Sequence, residues 1–200
     1  MPPSPSAPKL TSLCVFCGSQ TGSDPVYAAA ATTLGQAMAT HGTDLVFGGG
    51  RVGLMGTVAD AVLAGGGKIV GVIPGFLKDK ELAHPGATEM LVVPDMHSRK
   101  KLMFERSDAF CILPGGVGTL DEMFEIITWR QLRLHDKPII LVNVADYWTH
   151  MIRLLDSMVS TGFAYNPRHT LVTVVDRAEV VIAAAEAELK TRKAPDLSKV

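Results

Sequence analysis

A glycine-rich run at residues 113–122 joins an apolar segment to a segment of helical period, and it has the composition of an anion-binding site. Its letters are LPGGVGTLDE, with Gly115, Gly116 and Gly118 ahead of the Glu122 carboxylate. Glycines let backbone N–H groups close around an anion, and a helix N-terminus adds partial positive charge. We therefore expect a phosphate to bind here, with Glu122 beside the group that the phosphate carries.

A basic segment lies upstream, and its cations stand in an unexpected place. Ser98 is a residue type that caps helices, so Arg99 and Lys100 are expected in the first helical turn, where the helix dipole disfavours cations. This placement indicates a purpose other than helix stability. The alternative for such a charge run is a solvated basic face without a ligand.

Glu122 also has a purely structural interpretation. Thr119 and Glu122 have the spacing of a capping box, in which Thr119 caps the helix and the carboxylate reaches back to the Thr119 N–H. This spacing is common at helix starts. From spacing alone, the capping role and a role in chemistry are equally open.

The elements that position these residues follow a regular alternation. Short apolar segments alternate with longer segments of helical period, which predicts a parallel sheet covered on both faces. The predicted strands are 12–16, 45–47, 69–73, 89–93, 109–113, 138–142 and 171–174, and the predicted helices are 25–40, 54–64, 98–107, 119–133, 145–160 and 178–190. We expect a single α/β domain over residues 11–190, a doubly wound, mostly parallel, Rossmann-like sheet flanked by helices. A disordered tail (1–10) and a polar tail (191–200) are expected to flank it.

Three glycine-containing turns are expected at the same edge of this sheet. Residues 18–19, 48–50 and 114–118 each follow a predicted strand. Ligands of open α/β sheets bind beyond the carboxyl ends of the strands. The three turns therefore converge on one crevice, and we expect the segment 74–94 to cover it as a loop.

The composition favours one domain that binds a small molecule. The chain has 200 residues, of which 47% are hydrophobic and 20% charged, and its formal net charge is −1. This balance lacks the basic surface typical of proteins that bind nucleic acid or anionic membranes. No apolar run approaches the ~20 residues that span a bilayer, so we expect a cytoplasmic protein.

The cysteines and histidines do not have the spacing of a metal site. Cys14, Cys17 and Cys111 lie in or beside apolar runs, which favours buried thiols in a reducing compartment over a redox or zinc pair. The six histidines show no H-E-x-x-H or similar spacing. We therefore expect no metal.

Two common nucleotide-binding motifs fit poorly. Residues 48–56 are similar to a dinucleotide fingerprint, but the segment 69–73 ends without the acidic residue that holds a ribose hydroxyl. Tight helix–sheet packing explains these glycines equally well. The sequence also lacks the G-x-x-x-x-G-K-[ST] motif of triphosphate-binding loops.

The basic segment and the glycine-rich run together carry a resemblance. Ser98-Arg99-Lys100 followed by PGGVGTLDE resembles the Lonely Guy family of cytokinin riboside 5'-monophosphate phosphoribohydrolases, whose signature is PGGxGTxxE preceded by an arginine-lysine pair. Further matching segments are CGS (17–19), LVFGGG (45–50), GLMG (53–56), GVIP (71–74) and WRQL (129–132). The resemblance covers residues 12–190 in family order.

The resemblance implies an enzyme without metal or organic cofactor. The implied reaction is hydrolysis of the N-glycosidic bond of an N6-substituted adenosine 5'-monophosphate, with AMP as a further candidate, giving free base and ribose 5-phosphate. The implied catalytic pair is Arg99 and Glu122. The implied substrate-binding residues are Ser19, Glu81, Arg99, Lys100, Gly115, Gly116, Val117, Gly118, Thr119, Leu120, Asp121, Glu122 and Thr128. The family also forms dimers through helices near the signature loop, so at least a homodimer is expected.

The chemistry of that bond agrees with the implied pair. Its cleavage develops positive charge on the ribose and negative charge on the departing purine, so the site needs an anion near C1' and a donor near the base. We hypothesise that Glu122 stabilises the oxocarbenium-like ribose and positions or deprotonates water. In this hypothesis Arg99 orients Glu122 and the nucleotide, and the amides of residues 115–119 bind the phosphate.

Two other functions are considered for the same sequence. A nucleotide or molybdopterin-cofactor carrier of this fold needs the phosphate loop but not the combination of Arg99 and Glu122. Lysine decarboxylase is a label attached to such sequences, but the chain has no recognisable Schiff-base lysine site for pyridoxal phosphate.

Overall fold

The computed structural model describes residues 9–78, 83–164 and 167–191. Within these ranges the strands are β1 (Ser12–Phe16), β2 (Asp44–Phe47), β3 (Ile69–Pro74), β4 (Glu89–Val93), β5 (Ala109–Ile112), β6 (Ile139–Val142) and β7 (Thr173–Val175). They form one sheet in the order β4-β3-β2-β1-β5-β6-β7, and each neighbouring pair is parallel. The strand order reverses between β1 and β5, so the predicted doubly wound fold is confirmed.

The helices cover both faces of the sheet. They are α1 (Pro25–His41), α2 (Gly53–Ala64), α3 (Gly75–Lys78), α4 (Met96–Glu105), α5 (Val117–Gln131), α6 (Thr149–Ser160), α7 (Arg168–Leu171) and α8 (Val181–Thr191). Buried side chains of α1, α2 and α8 pack on one face, and those of α4, α5, α6 and α7 pack on the other. The strands β5 and β6 are buried along their whole length, which explains their continuous apolar sequences.

Helix α4 begins two residues earlier than the sequence predicts. Its N-cap is Asp95, whose carboxylate accepts a hydrogen bond from the Ser98 N–H at 2.7 Å. The Ser98 hydrogen bonds lower the pKa of Asp95 below its ordinary value. The predicted cap at Ser98 is therefore wrong, because Asp95 supplies the acceptor. Arg99 and Lys100 lie just beyond the first turn, where the dipole penalty is smaller.

Helix α5 begins at Val117, two residues before the predicted start at residue 119, so the capping-box alternative with Thr119 as N-cap does not hold. Its N-cap is Gly116, which has no side chain, and Thr119 lies inside the first turn. A Cβ added at Gly115 would lie 2.1 Å from Thr119 Oγ1, which shows how closely that hydroxyl packs on the glycine backbone. The N-cap residue of α5 therefore contributes no side-chain hydrogen bond to the helix start.

The chain after β6 differs most from prediction. Ala145 and Asp146, expected in a helix, have φ values of 49° and 57°. Left-handed residues cannot continue a right-handed helix, so α6 starts at Thr149. The predicted strand 171–174 is shifted as well, since α7 includes Leu171 and β7 begins at Thr173.

The remaining segments are described only in part. The predicted tails lie outside the described residues except for residues 9, 10 and 191, and Leu10 is fully buried in the core. The predicted loop 74–94 includes α3 and β4, and Ala83 forms an isolated antiparallel bridge with Gly50. None of the helices formed by the described residues is both long enough and apolar enough to cross a membrane.

Candidate active site

Two of the three predicted turns, those after β1 and β5, border one cavity at the carboxyl edge of the sheet, and helix α2 links the chain after β2 to them. The Gly18 N–H donates to the Pro114 carbonyl at 3.0 Å, which ties the turn after β1 to the turn after β5. The Leu54 N–H of α2 donates to the Gly18 carbonyl at 3.0 Å. A cavity of about 220 Å³ lies between these turns, and Ser19, Gly115 and Gly116 line it.

Helix α5 presents its N-terminal end beside this cavity. Val117, its first residue, is 83% exposed, whereas Thr119 is buried. The first N–H groups of a helix have no partner within the helix and carry its partial positive charge. Together with the backbone of Gly115 and Gly116, this end of α5 has the construction of an anion-binding site.

Arg99 is buried and held in one direction by main-chain acceptors. Its Nε donates to the Val72 carbonyl at 3.1 Å, and its Nη2 donates to the Gly48 carbonyl at 3.1 Å. A Cβ added at Gly48 would lie 1.9 Å from Nη2, so a glycine is required for this approach. The Arg99 side chain therefore extends from α4 past β3 to the turn that follows β2.

Glu122 meets this guanidinium from the other half of the sheet. Arg99 Nη1 lies 3.8 Å from Glu122 Oε1, and the residues are 5% and 9% exposed. This distance exceeds that of a hydrogen bond, so the two charges attract without being locked together. The pKa values of the Cys14 and Cys17 thiols are raised well above the ordinary value, mainly by burial and then by the nearby negative charge of Glu122.

Lys100 faces carboxylates of α5. Its Nζ lies 3.1 Å from Asp121 Oδ2 and 3.2 Å from Glu125 Oε1. Burial lowers the pKa of Lys100, but hydrogen bonds and charge interactions with these two carboxylates outweigh burial and raise it above its ordinary value. Lys100 therefore joins α4 to α5 and stabilises the relative position of Arg99 and Glu122.

The implied substrate contact Thr128 is not brought to this place. Thr128 donates to the Phe124 carbonyl at 2.7 Å and lines a separate cavity of about 150 Å³ between α5, α6 and α7. It follows Glu122 by six residues, or about 9 Å along the helix axis. Glu81 lies outside the described residues.

The sequence did not point to Tyr147, which lies at the rim of the cavity. Its hydroxyl donates to the Gly115 carbonyl at 2.7 Å. Residue 147 was expected inside a regular helix, and a lone tyrosine there carries no motif. Only the unusual turn after β6 brings it to the glycine-rich run.

The cysteines are core residues, as predicted. Cys14, Cys17 and Cys111 are all buried and free, and burial raises the pKa of the Cys111 thiol as well. Across residues 9–78, 83–164 and 167–191, no group of three or more His, Cys, Asp or Glu side chains has the geometry to hold a metal ion. The C-x-x-C spacing is thus explained by packing within and after β1.

Sequence comparison decides the family. A family model described as "Possible lysine decarboxylase" matches residues 55–185. The chain is 45% identical over 170 residues to the cytokinin riboside 5'-monophosphate phosphoribohydrolase LOG5 of Arabidopsis thaliana, covering 84% of this chain and 75% of that protein. It is 44% identical over 179 residues to the probable phosphoribohydrolase LOG6 of the same plant, covering 89% of each. The chain belongs to the Lonely Guy family.

Solved structures place this Lonely Guy chain in a wider fold group. The molybdenum cofactor carrier protein of Chlamydomonas reinhardtii superposes with a TM-score of 0.70 at 21% identity, covering 91% of this chain and 99% of that one. The molybdenum cofactor binding protein of Rippkaea orientalis gives 0.67 at 21% identity, covering 91% and 98%. At these identities the similarity shows the fold alone.

The decarboxylase description of the family model does not fit the buried lysine among the described residues of this Lonely Guy chain. Pyridoxal phosphate enzymes need an amine that forms a Schiff base. Lys100 is the only buried lysine of the described residues. It is held as an ammonium ion between Asp121 and Glu125, which opposes its use as a nucleophile.

Proposed function

We propose that the protein hydrolyses the N-glycosidic bond of N6-substituted adenosine 5'-monophosphates, such as cytokinin riboside monophosphates, and releases the base and ribose 5-phosphate. The observation that carries this proposal is the buried Arg99–Glu122 pair, 3.8 Å apart, at the sheet edge that holds the glycine-rich run. Named relatives at about 45% identity support the same activity. A carrier needs the run but has no use for the pair.

The reaction assigns Glu122 to the sugar. As the C1'–N9 bond breaks, the ribose becomes oxocarbenium-like and its positive charge is stabilised by a nearby carboxylate. Water then adds to C1', and Glu122 positions it and accepts its proton. The electron pair of the broken bond leaves with the purine, which takes up a proton from solvent, and the proton that Glu122 accepted from water returns to solvent.

Arg99 attracts this carboxylate and influences its orientation. Its two bonds to the Val72 and Gly48 carbonyls fix the guanidinium, and the remaining nitrogen faces Glu122. The charge attraction acts in a buried site, where it is screened less than at the surface. Arg99 thus orients Glu122 and is available to the nucleotide.

The phosphate is proposed to bind the glycine-rich run. The N–H groups of Gly116, Val117 and Gly118 and the N-terminus of α5 supply donors, and Ser19 lines the same cavity. Lys100 and Asp121 hold α4 against α5. Binding the phosphate at a fixed point sets the position of C1' relative to Glu122.

The proposed assembly is a homodimer. The family resemblance implies it, and three exposed apolar side chains lie on or just after α5: Val117, Leu132 and Leu134. Contributions of Glu81 and Thr128 to the substrate are proposed on the resemblance. Size-exclusion chromatography with light scattering measures the assembly directly.

The proposal is tested by incubating the purified chain with N6-isopentenyl-AMP, AMP and N6-isopentenyladenosine. We expect release of isopentenyladenine and ribose 5-phosphate in equal amounts, and little cleavage of the nucleoside, because it lacks the phosphate. A Glu105→Gln variant, which changes an exposed carboxylate of α4, serves as the control and should match the parent. Nucleotide binding without release of base from any of the three would contradict the proposal and favour a carrier.

A further inference from the structure

The turn after β6 has a conformation that its residues do not favour. Ala145 has φ 49° and ψ 35°, and Asp146 has φ 57°. Residues with a Cβ seldom adopt this left-handed region, and two in succession are rarer still. Strain of this kind persists where surrounding contacts determine it, and it is common at functional sites.

Those contacts come from polar side chains of the turn itself. Asn143 Oδ1 accepts a hydrogen bond from the Trp148 N–H at 2.7 Å. Asp146 Oδ1 accepts from Thr149 Oγ1 at 3.2 Å. The turn is thereby fixed at both ends, and the residue between Asp146 and Trp148 projects in one direction.

That residue is Tyr147, and its ring is held between two aromatic neighbours. The Trp148 ring lies 4.8 Å from it and the Tyr27 ring lies 5.4 Å from it, both edge to face. Trp148 is buried in the core, whereas Tyr147 is 39% exposed and borders the cavity. The packing thus aims the Tyr147 hydroxyl at the glycine-rich run.

The hydroxyl determines the orientation of one peptide group in that run. It donates to the Gly115 carbonyl at 2.7 Å. The described peptide bonds are all trans, and in a trans peptide the C=O and the following N–H point in opposite directions. Fixing the Gly115 carbonyl toward Tyr147 therefore directs the Gly116 N–H away from Tyr147.

We propose that Tyr147 is a positioning residue for the phosphate: its hydrogen bond to Gly115 pre-orients the Gly116 N–H as an anion donor. The inference rests on the proposed use of the glycine-rich run for a 5'-phosphate. Glycine peptides rotate easily, so the loop needs an external restraint to keep this donor in register. Tyr147 supplies this restraint from outside the run, through its hydrogen bond to Gly115 rather than through Glu122 or Arg99.

The test compares Tyr147→Phe with the parent, using AMP and adenosine as calorimetric probes. The phenylalanine keeps the ring contacts and removes only the hydroxyl. We expect the Kd for AMP to rise about three- to tenfold, as for one lost hydrogen bond, and the Kd for adenosine to change less than about twofold. With N6-isopentenyl-AMP, KM should rise by a similar factor while kcat stays near the parent value.

Thr32→Val is the matched control. It removes a hydroxyl that donates to a backbone carbonyl, that of Ala28 at 3.0 Å within α1, away from the run. It should leave both Kd values unchanged. An unchanged AMP affinity in Tyr147→Phe would overturn the inference, and so would an equal loss for AMP and adenosine. Because AMP binding requires no turnover, these outcomes are separate from a failure of the proposed hydrolysis.

Discussion

A carboxylate lies near β1 and β5 at each edge of the sheet, Asp108 at the amino edge and Glu122 at the carboxyl edge. The two carboxylates have different partners. At the amino edge, Asp108 Oδ2 accepts hydrogen bonds from the Thr11 N–H, the Thr11 hydroxyl and the Ser12 N–H. At the carboxyl edge, Glu122 lies 3.8 Å from the Arg99 guanidinium. The first carboxylate joins N–H and hydroxyl groups at the start of β1, and the second faces a buried guanidinium.

This difference separates a structural charge from a candidate catalytic one. Burial raises the pKa of Asp108, but the hydrogen bonds from Thr11 and Ser12 outweigh it and lower the pKa below its ordinary value. That carboxylate therefore stabilises the strands that it joins. The carboxyl edge instead carries close glycine contacts, a buried guanidinium and left-handed residues, which a protein tolerates where function requires them.

The largest expected effect is at the carboxyl edge, from Gly48→Ala. A new Cβ would lie 1.9 Å from Arg99 Nη2, so the guanidinium must shift from the position that it holds beside Glu122. A misplacement of about 1 Å costs as much as 10²-fold in rate, and we expect a loss of about that size in base release from N6-isopentenyl-AMP.

The control for this change is Gly75→Ala. A Cβ there would make only an ordinary contact, 3.8 Å from Val92 Cγ1, and should leave the rate unchanged. Thermal unfolding followed by circular dichroism shows whether each variant is folded. A folded Gly48→Ala protein with parental turnover would mean that the position of Arg99 does not matter for the reaction.

A smaller effect is expected at the amino edge, from Asp108→Asn. The change removes charge-assisted hydrogen bonds, and we expect it to lower the free energy of unfolding by about 1–2 kcal/mol at pH 7, with base release unaffected. Since the folded-state pKa is depressed, this stabilisation is present above the ordinary value of 3.8 and is lost as the pH falls through the folded-state value.

Urea unfolding at pH 7 and at successively lower pH measures this difference. The gap between parent and variant should close below pH 3.8. A gap that is independent of pH would show that Asp108 acts through shape rather than charge. A loss of turnover in the folded variant would contradict the assignment of a purely structural role to Asp108.

The smallest effect is expected from Ala145→Gly in the turn after β6. Glycine removes a steric cost of about 1–2 kcal/mol and adds about 0.5–1 kcal/mol of backbone entropy, so the protein should gain about 0.5–1 kcal/mol. Thermal unfolding measures the gain. A lower melting temperature would show that the left-handed conformation of Ala145 is not a source of strain.

The sheet was predictable because its buried strands have a recognisable pattern in the sequence. Strands such as β5 and β6 are buried on both faces and read as short apolar runs, and the glycine turns mark their carboxyl ends. Helix starts were less predictable. Asp95 and Ser98 are both capping types three residues apart, and only the fold shows that Asp95 is the cap and Ser98 its donor.

The sequence proposed members of the candidate site but did not predict their geometry. The resemblance named Arg99 and Glu122, and the structure brings them together from α4 and α5 across the middle of the sheet. The ion pairs of Lys100 depend on how two helices pack, which spacing within one helix does not encode. Tyr147 depends on two left-handed residues without glycine, a conformation that no sequence rule selects.

If Glu122 acts on the substrate rather than on the fold, Glu122→Gln should abolish turnover without abolishing nucleotide binding. The measurement pairs AMP binding by calorimetry with base release from N6-isopentenyl-AMP on the same folded protein. We expect a Kd for AMP within about threefold of the parent and a turnover reduced by at least about 10²-fold, as for loss of an acid–base group. Parental turnover in this variant would contradict it and leave Glu122 a structural residue.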